Sequence, residues 1–457
     1  VFRKVLIANR GEIALRINRA CQELGVATVA IFSEADRQSL HVRHADEAFC
    51  VGPGPVARSY LNIPNIISAA LISGADAIHP GYGFLAENAR FAEICGDHGL
   101  RFIGPKPAVI AMMGDKATAR RVMAEAGVAI TPGSGIVDTI EDARVEIEKV
   151  GYPVLLKASA GGGGKGMREV HAPEDLERAF TTARAEAEAS FNDGRLYVEK
   201  LIIKPRHIEV QLLGDEQGNL VHLGERDCSI QKPSHQKLIE ESPAFGLPRH
   251  VRDRLYDMAL SAGRAVGYTN AGTLEFLVSG EQIYFMEMNT RIQVEHPVTE
   301  MVYGVDLVKE QIRISAGESL NFTQDDLHPV GHAIEVRVNA EDPANNFAPA
   351  AGSLTRVEFP GGPGVRVDTH MFSGAQIPPY YDSMIAKIIV QARTRDAAIA
   401  RMERALAETR IEGVKTTIDF ARDVLRDPNF IAGGVGVEYL ATSFLPNWTA
   451  PSETADV

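Results

Sequence analysis

The sequence predicts an α/β chain that gives way to α+β, in three parts with a short tail. The parts are a parallel N-terminal sheet over residues 1–112, a central domain over 113–330 and a β-rich domain over 331–447. Three patterns carry this reading. Buried strands alternate with amphipathic helices through the first hundred residues. From His207 to Asn289 apolar strands alternate with tight glycine turns around one helix. After Pro329 short β-type runs dominate and close on one strongly patterned helix.

Taken in order, "KVLIA" is a buried strand and "GEIALRINRACQELG" an amphipathic helix that stops at Gly25. "ATVAIFS" is the next strand, followed by "NIISAALISG", "DAIHP" and the turn "GYGFLAEN". This rhythm makes the first sheet Rossmann-like. Its first turn, "ANRGEIA", lacks the G-x-G-x-x-G phosphate turn, which removes the support for a dinucleotide. In "MMGDKATARRVMAEAGV" Asp115 is placed to cap a helix that ends at Gly127. Residues 131–203 read as a small α+β unit inserted in the central domain. The later strands are "GHAIEVRVNAE", "GSLTRVEF", "VRVDTHMF" and "SMIAKIIVQA", and the helix is "RDAAIARMERALAE". The polar end, residues 448–457, reads as a flexible tail.

Composition narrows the function. Charged residues make up 23% of 457, and the net charge of −13 comes without a sustained basic run. A nucleic-acid partner is therefore not expected. No stretch of about eighteen apolar residues exists, so no membrane helix is expected. Cys21, Cys50, Cys95 and Cys228 are scattered without metal-ligand spacing, which suits a reducing, cytoplasmic setting.

Three constellations carry chemistry. Gly161, Gly162, Gly163, Gly164, Lys165 and Gly166 follow the strand "PVLLKAS". A chain free of Cβ atoms can bring N–H groups to phosphate oxygens, though the run is not a Walker A loop because Met167 follows Gly166. Alone it fits a hairpin tip equally well; Lys157 on the apolar strand favours an anionic partner. Next, "GTLEFLV" and "QIYFMEM" flank Ser279, Gly280 and Glu281. A three-residue loop sets Glu275 opposite Phe285 and one diagonal step from Glu287, with Leu274, Phe276, Tyr284 and Met286 on the other face. A two-residue turn sets the two acids on opposite faces. With Asn289, the shared face is an oxygen-rich site suited to magnesium. Finally, Arg291, Gln293 and Glu295 alternate, so an extended segment points them one way. They fit an oxyanion pocket with a base, or an ion-pair network.

These motifs, in this order, resemble biotin carboxylases of the ATP-grasp superfamily. The matching stretches include "IANRGEIALRI", "HPGYGFLAEN", "MGDK", "GYPVLLKASAGGGGKGM", "ERDCSIQ", "EMNTRIQVEHPVTE", "NAEDP" and "PPYYDSMIAK". The resemblance implies an ATP-grasp central domain with the insert as a mobile lid. It implies ATP-dependent carboxylation of biotin by bicarbonate through carboxyphosphate. Lys116, Lys157 and the glycine run with Met167 would contact the phosphates. Glu199, Lys200 and Leu201 would line the adenine pocket, with His207, Gln231 and His235 near the nucleotide. Glu275, Glu287 and Asn289 would hold magnesium, two ions or manganese in its place. Lys237, Arg291, Gln293 and the backbone of Val294 would hold bicarbonate, with Glu295 as base. Arg337 would stabilise the biotin enolate oxygen, and Tyr82, Gly83 and Gln236 would touch biotin.

The stretch "QKPSHQK" departs from the family by one extra residue and by a Pro–Ser pair where an Arg is expected. No lysine sits between two methionines, so the biotinyl carrier is expected outside these 457 residues. The implied partners are that carrier, a carboxyltransferase and a second copy of the chain. The parent enzyme would be an acetyl-CoA carboxylase, or one of the propionyl-CoA or pyruvate type. Another ATP-grasp ligase would have no reason to combine "RIQVE" with "EVRVNAED".

Overall fold

The protein is described here from a computed structural model covering residues 1–159, 166–191 and 193–450. β1 (Lys4–Ile7), β2 (Ala27–Ser33), β3 (Glu47–Gly52), β4 (Ala77–His79) and β5 (Arg101–Phe102) form a parallel sheet in the order β3-β2-β1-β4-β5. Strand order reverses at β1, where β2 lies on one side and β4 on the other. Open α/β sheets bind ligands outside the carboxyl ends of the strands at such a switch point. Here Asn9 follows β1 and donates to the carbonyls of Pro80 and Tyr82, both at 2.7 Å, which fixes the turn carrying Tyr82. Gly11 then opens the helix Gly11–Glu23 at φ +70°, and an added Cβ would lie 3.4 Å from the ring of His370. A side chain there would meet both strain and crowding.

β6 (Gly133–Val137), β7 (Val154–Ala158), β8 (Met167–Val170) and β9 (Leu196–Lys200) make a separate antiparallel sheet in the order β6-β9-β7-β8. Helices Ile140–Val150 and Leu176–Phe191 close its apolar core with Ala143, Ile147, Leu176 and Ala183. A reciprocal capping box between Thr139 and Asp142 starts the first of these helices.

The largest sheet has eight strands. In order across it these are β14 (Gln282–Asn289), β13 (Asn270–Ser279), β10 (Arg206–Gly214), β11 (Leu220–Gln231), β12 (Lys237–Ser242), β15 (His332–Asn339), β17 (Met384–Ala392) and β16 (Val365–Thr369). Neighbouring strands are antiparallel throughout. This sheet runs straight across residue 330, because β12 pairs with β15 in the register Ile239↔Val336. The central and C-terminal parts therefore share one hydrogen-bonded layer, which lets residues from both face a single cleft.

Two expectations are refined. Asp115 does cap the helix Lys116–Glu125, accepting from the Thr118 N–H at 2.8 Å, and a separate helix Pro107–Gly114 precedes it. The tail, in contrast, is not free from residue 448. Trp448 packs edge-on against Phe420 at 5.0 Å between ring centroids, and its Nε1–H donates to Asp423 at 2.9 Å. An indole that buries its face and satisfies its N–H is an anchor. Residues 451–457 lie outside the described ones.

The join between sheet and C-terminal helices is ionic. Glu241, at the end of β12, accepts from Arg395 at 2.6 and 2.9 Å and lies 2.8 Å from His332 Nε2. Arg395 also donates to the carbonyls of Phe430 and Ile431 and lies between the rings of Phe245 and Phe430. Burial alone would raise the Glu241 carboxyl, but the His332 and Arg395 hydrogen bonds pull it down to about 2. A carboxyl with a depressed native pKa stabilises the fold above its unfolded value of roughly 4, and that contribution fades as pH falls towards 2. Glu241→Gln strands a buried guanidinium and should cost about 3 kcal/mol at pH 7. Urea unfolding should show this gap closing between pH 4.5 and pH 2.5; a gap independent of pH contradicts the assignment.

Candidate active site

The two predicted metal acids meet across the β13–β14 ladder, by a route the alternation did not foresee. The turn has two residues, Gly280 and Glu281, with Ser279 paired to Gln282. A regular ladder from that turn would place Glu275 opposite Met286. A bulge between Glu275 and Phe276 takes up one extra residue, so Glu275 pairs directly with Glu287. The apolar set changes with it. Phe285 and Met288 enter the core beside Leu274 and Phe276, while Met286 is exposed. The expected face of Leu274, Phe276, Tyr284 and Met286 is therefore broken by the bulge, and the acid pair survives.

Behind the pair stands a buried ammonium. Lys237 Nζ lies 2.7 Å from Glu209, 3.0 Å from Glu275 and 2.6 Å from Glu295. Burial would lower the lysine pKa, but these three carboxylates hold it well above the ordinary value. Glu209 also takes the guanidinium of Arg226, a side chain with no exposed surface. Glu275 is held from several sides: Oε1 accepts from Asn289 and Gln293 at 2.9 Å each, and Oε2 lies 3.1 Å from His207 Nε2. Burial raises the Glu295 carboxyl, yet Lys237, Arg337 and Arg226 together keep it well below the carboxylate range. Cys228 Sγ is 3.8 Å from Glu295; burial and then the charge of Glu209 push its thiol far up, so it stays protonated.

The segment after β14 is not the extended strand that alternation implied. Arg291 to Gln293 form a loop, Val294 and Glu295 turn, and a helix runs from His296 to Tyr303. Arg291, Gln293 and Glu295 still converge. Arg291 Nη1 donates to Gln293 Oε1 at 2.8 Å and its Nη2 to Asn289 Oδ1 at 3.0 Å. Its Nε meets Glu87 of the N-terminal part at 2.8 Å, and Glu87 also accepts from the Thr290 N–H at 3.0 Å. Arg337, on β15, donates to Glu295 at 2.9 Å and to Glu240 at 2.6 Å. Tyr82 bonds Glu12 through its hydroxyl, and Gly83 follows at φ +67°.

The predicted nucleotide residues divide. Gly161 to Gly164 lie outside the described residues. Gly166 and Met167 sit beside them, with Met167 opposite Lys157 in the β7–β8 pair. Lys157 is bonded to Glu199, which also accepts from Arg120 at 2.8 Å. Lys116 is exposed at the start of its helix. The Lys200 side chain donates to the carbonyls of Gly151 and Tyr152 at 2.9 and 2.8 Å. The N–H groups of Lys200 and Leu201 are taken by Pro132 and Pro153. Gln231 bridges His207 and the Cys228 carbonyl. In "QKPSHQK" the added length forms an exposed turn. The His235 N–H meets the Lys232 carbonyl, the Lys232 N–H meets the Gln236 carbonyl, and His235 is left-handed at φ +61°. Lys232 is drawn inward to Glu341 at 2.7 Å, and below the turn Gln231 still pairs with Lys237, with a register shift between Ile230 and Gln231.

Sequence reasoning missed Glu209, Arg226, Glu87, Glu240 and Arg120. Only Glu209 left a local sign, since it follows His207 by two residues on β10 and so shares its face.

The donors fit a hard divalent cation. Glu287 opens into the cleft; the protein around it, then Glu275 and Glu87, push its carboxyl upward, and a bound cation relieves that repulsion. The tighter geometric sets, His207–Glu209–Glu275 and Glu209–Cys228–Glu295, surround the place that Lys237 already fills. The Glu275–Glu287 pair, backed by the Asn289 amide, is the better metal site.

An antiparallel sheet that places paired acids, a buried lysine and an arginine-lined pocket beside a smaller α+β unit defines the class as an ATP-grasp ligase. Comparison with known proteins narrows it. Residues 1–110 match the biotin carboxylase N-terminal domain, 115–323 the ATP-binding domain of the carbamoyl-phosphate synthase L chain, and 335–442 the biotin carboxylase C-terminal domain. The chain is 55% identical to a biotin carboxylase of Nostoc, covering 96% of this chain and 98% of that one. It is 53% identical to biotin carboxylase 1 of Bacillus subtilis, covering 97% and 99%. Among solved structures it resembles the biotin carboxylase domain dimer of Hydrogenobacter thermophilus 2-oxoglutarate carboxylase, in complex with MgADP, ADP and bicarbonate. That likeness has a TM-score of 0.90 and 50% identity, covering 96% and 97%. The chain belongs to the biotin carboxylase family, and its activity is that of this ligase, acting with ATP and bicarbonate.

Removing the cation at the hub tests the site electrostatics. Lys237→Gln leaves Glu209, Glu275 and Glu295 facing one another and should cost about 3 kcal/mol of stability. Mg²⁺ should then raise the melting temperature of the variant more than that of the wild type. Equal shifts contradict the hub.

Proposed function

We propose that the cleft activates bicarbonate with ATP and passes the carboxyl group to biotin on a carrier, with the following division of labour. The observation that carries this reading is the convergence of Lys237, Arg291, Gln293, Glu295 and Arg337 beside the acids Glu275 and Glu287. The unit over residues 131–203 serves as a lid, with Lys116, Lys157 and the glycine run as the phosphate contacts. Glu199 lines the adenine pocket; the Lys200 side chain serves to hold the lid strands together. Glu275, Glu287 and Asn289 would hold magnesium, which when bound would neutralise charge on the phosphates.

Bicarbonate occupies the space between Lys237, Arg291 and Gln293. Glu295 takes its proton as a bicarbonate oxygen attacks the γ-phosphorus, which yields carboxyphosphate and ADP. Glu295 is a weak base while Lys237 and Arg337 hold it low. An anion alongside it shares those cations and adds a like charge, and both effects raise its proton affinity. Carboxyphosphate then splits into CO₂ and phosphate. Phosphate removes the ureido proton of biotin, and the nitrogen attacks CO₂. Arg337 stabilises the enolate-like oxygen and Tyr82 packs against the ring. Confinement limits the loss of carboxyphosphate to water. The carrier and carboxyltransferase are further chains or segments, and the enzyme works as a homodimer, as the dimeric Hydrogenobacter domain supports.

The test is ATP cleavage that requires bicarbonate and rises with free biotin. Glu295→Gln should lower kcat at least about 100-fold. Arg337→Gln should lower biotin carboxylation by a similar factor and leave the KM for ATP within about twofold. Full carboxylation by Glu295→Gln would contradict the assigned base.

A further inference from the structure

His296 is the one ionisable side chain of the "MNTRIQVEH" stretch without a place in the chemistry above. It has no exposed surface, and its Nδ1 lies 2.8 Å from the carbonyl oxygen of Gln293. A carbonyl only accepts, so Nδ1 carries the proton and the ring is the Nδ1–H tautomer. Nε2 then bears the lone pair and has no hydrogen-bond partner among the described residues. The next peptide is held in the same manner: Lys387 Nζ donates to the Val294 carbonyl at 2.8 Å. Lys387 is likewise fully buried, 3.0 Å from Glu12, the residue bonded to the Tyr82 hydroxyl.

The geometry has a consequence for the anion pocket. The peptide between Gln293 and Val294 is not among the cis bonds, so its C=O and N–H point in opposite directions. Holding the Gln293 oxygen down onto His296 turns the Val294 N–H the other way, off the His296 side of the peptide. Fixing the Val294 oxygen on Lys387 sets the following peptide and with it the start of the Glu295 side chain.

We infer that His296 and Lys387 are positioning residues: the neutral Nδ1–H ring and the buried ammonium lock two successive peptides so that the Val294 N–H is presented to bicarbonate. The inference rests on the bicarbonate reading of this pocket and deepens it. Two facts support a ring that stays neutral. Burial, then the charges of Lys387, Arg16 and Arg366, keep its pKa well below the ordinary histidine value. The carboxylate nearest Nε2, that of Glu300 at 3.7 Å, is committed to Arg16 and Arg366.

The test compares His296→Leu with His296→Asn, whose amide N–H can take the place of Nδ1–H, in bicarbonate-dependent ATP cleavage. His296→Leu should raise the KM for bicarbonate about tenfold, with the KM for ATP unchanged and kcat reduced less than about threefold. His296→Asn should recover most of that loss, and Lys387→Met should show the same selective rise. A bicarbonate KM within twofold of wild type in a folded His296→Leu enzyme overturns the inference while leaving the parent activity intact. A wild type that cleaves no ATP in response to bicarbonate fails the parent reading, and the inference falls with it. Nitrogen-15 spectra of histidine-labelled protein, with the His296 signal assigned by its loss in His296→Asn, test the tautomer the inference requires. A buried Nδ1–H ring that does not titrate between pH 6 and 8 supports the inference, and an Nε2–H ring overturns it.

Discussion

One buried ammonium organises this molecule. Lys237 stands among Glu209, Glu275 and Glu295, which come from β10, β13 and the loop before the helix His296–Tyr303. Three carboxylates this close could not all remain ionised in a dry interior without it. Two of the acids are further paired, Glu209 with Arg226 and Glu295 with Arg337, and Glu275 lies 3.1 Å from the His207 ring. The result is a set of charges that is satisfied at rest and yet close to the positions where metal, phosphate and a small anion would sit. Charges held in place before any ligand arrives make such a site preorganised in the electrostatic sense.

The eight-stranded sheet is what lets distant parts of the chain share this hub. Because β12 pairs with β15, Arg337 arrives beside Glu240 and Glu295 although about a hundred residues separate β12 and β15. The N-terminal sheet reaches the same place through Glu87, which fixes Arg291, and through Glu12, which links Tyr82 to Lys387. All three parts of the chain thus fix the positions of Arg291, Tyr82 and Arg337 relative to the hub. The four-stranded β6–β9 sheet has its own core, and Arg120 of the helix Lys116–Glu125 makes a polar contact with its Glu199.

Much of this was legible in the sequence because its signals are local. The strand and helix rhythm, the Asp115 cap and the Glu275–Glu287 hairpin all follow from neighbours along the chain. Even there the acids met for a different reason than expected, since alternation cannot announce a bulge at Met286. The extended reading of Arg291 to Glu295 failed because helix formation at His296 bends the chain first. Glu87, Glu240 and Arg120 were invisible for a deeper reason: each becomes functional only through a partner dozens to hundreds of residues away. Trp448 looked like part of a polar tail until Phe420 and Asp423 were seen to receive it.

The central claim is that the hub receives bicarbonate and turns it into an acyl phosphate before biotin is touched. Oxygen tracing tests it most directly. With bicarbonate labelled in all three oxygens by ¹⁸O, each phosphate released with carboxybiotin should carry one labelled oxygen, transferred when bicarbonate attacks the γ-phosphorus. Phosphate that takes its new oxygen from unlabelled water during productive carboxylation would contradict the account.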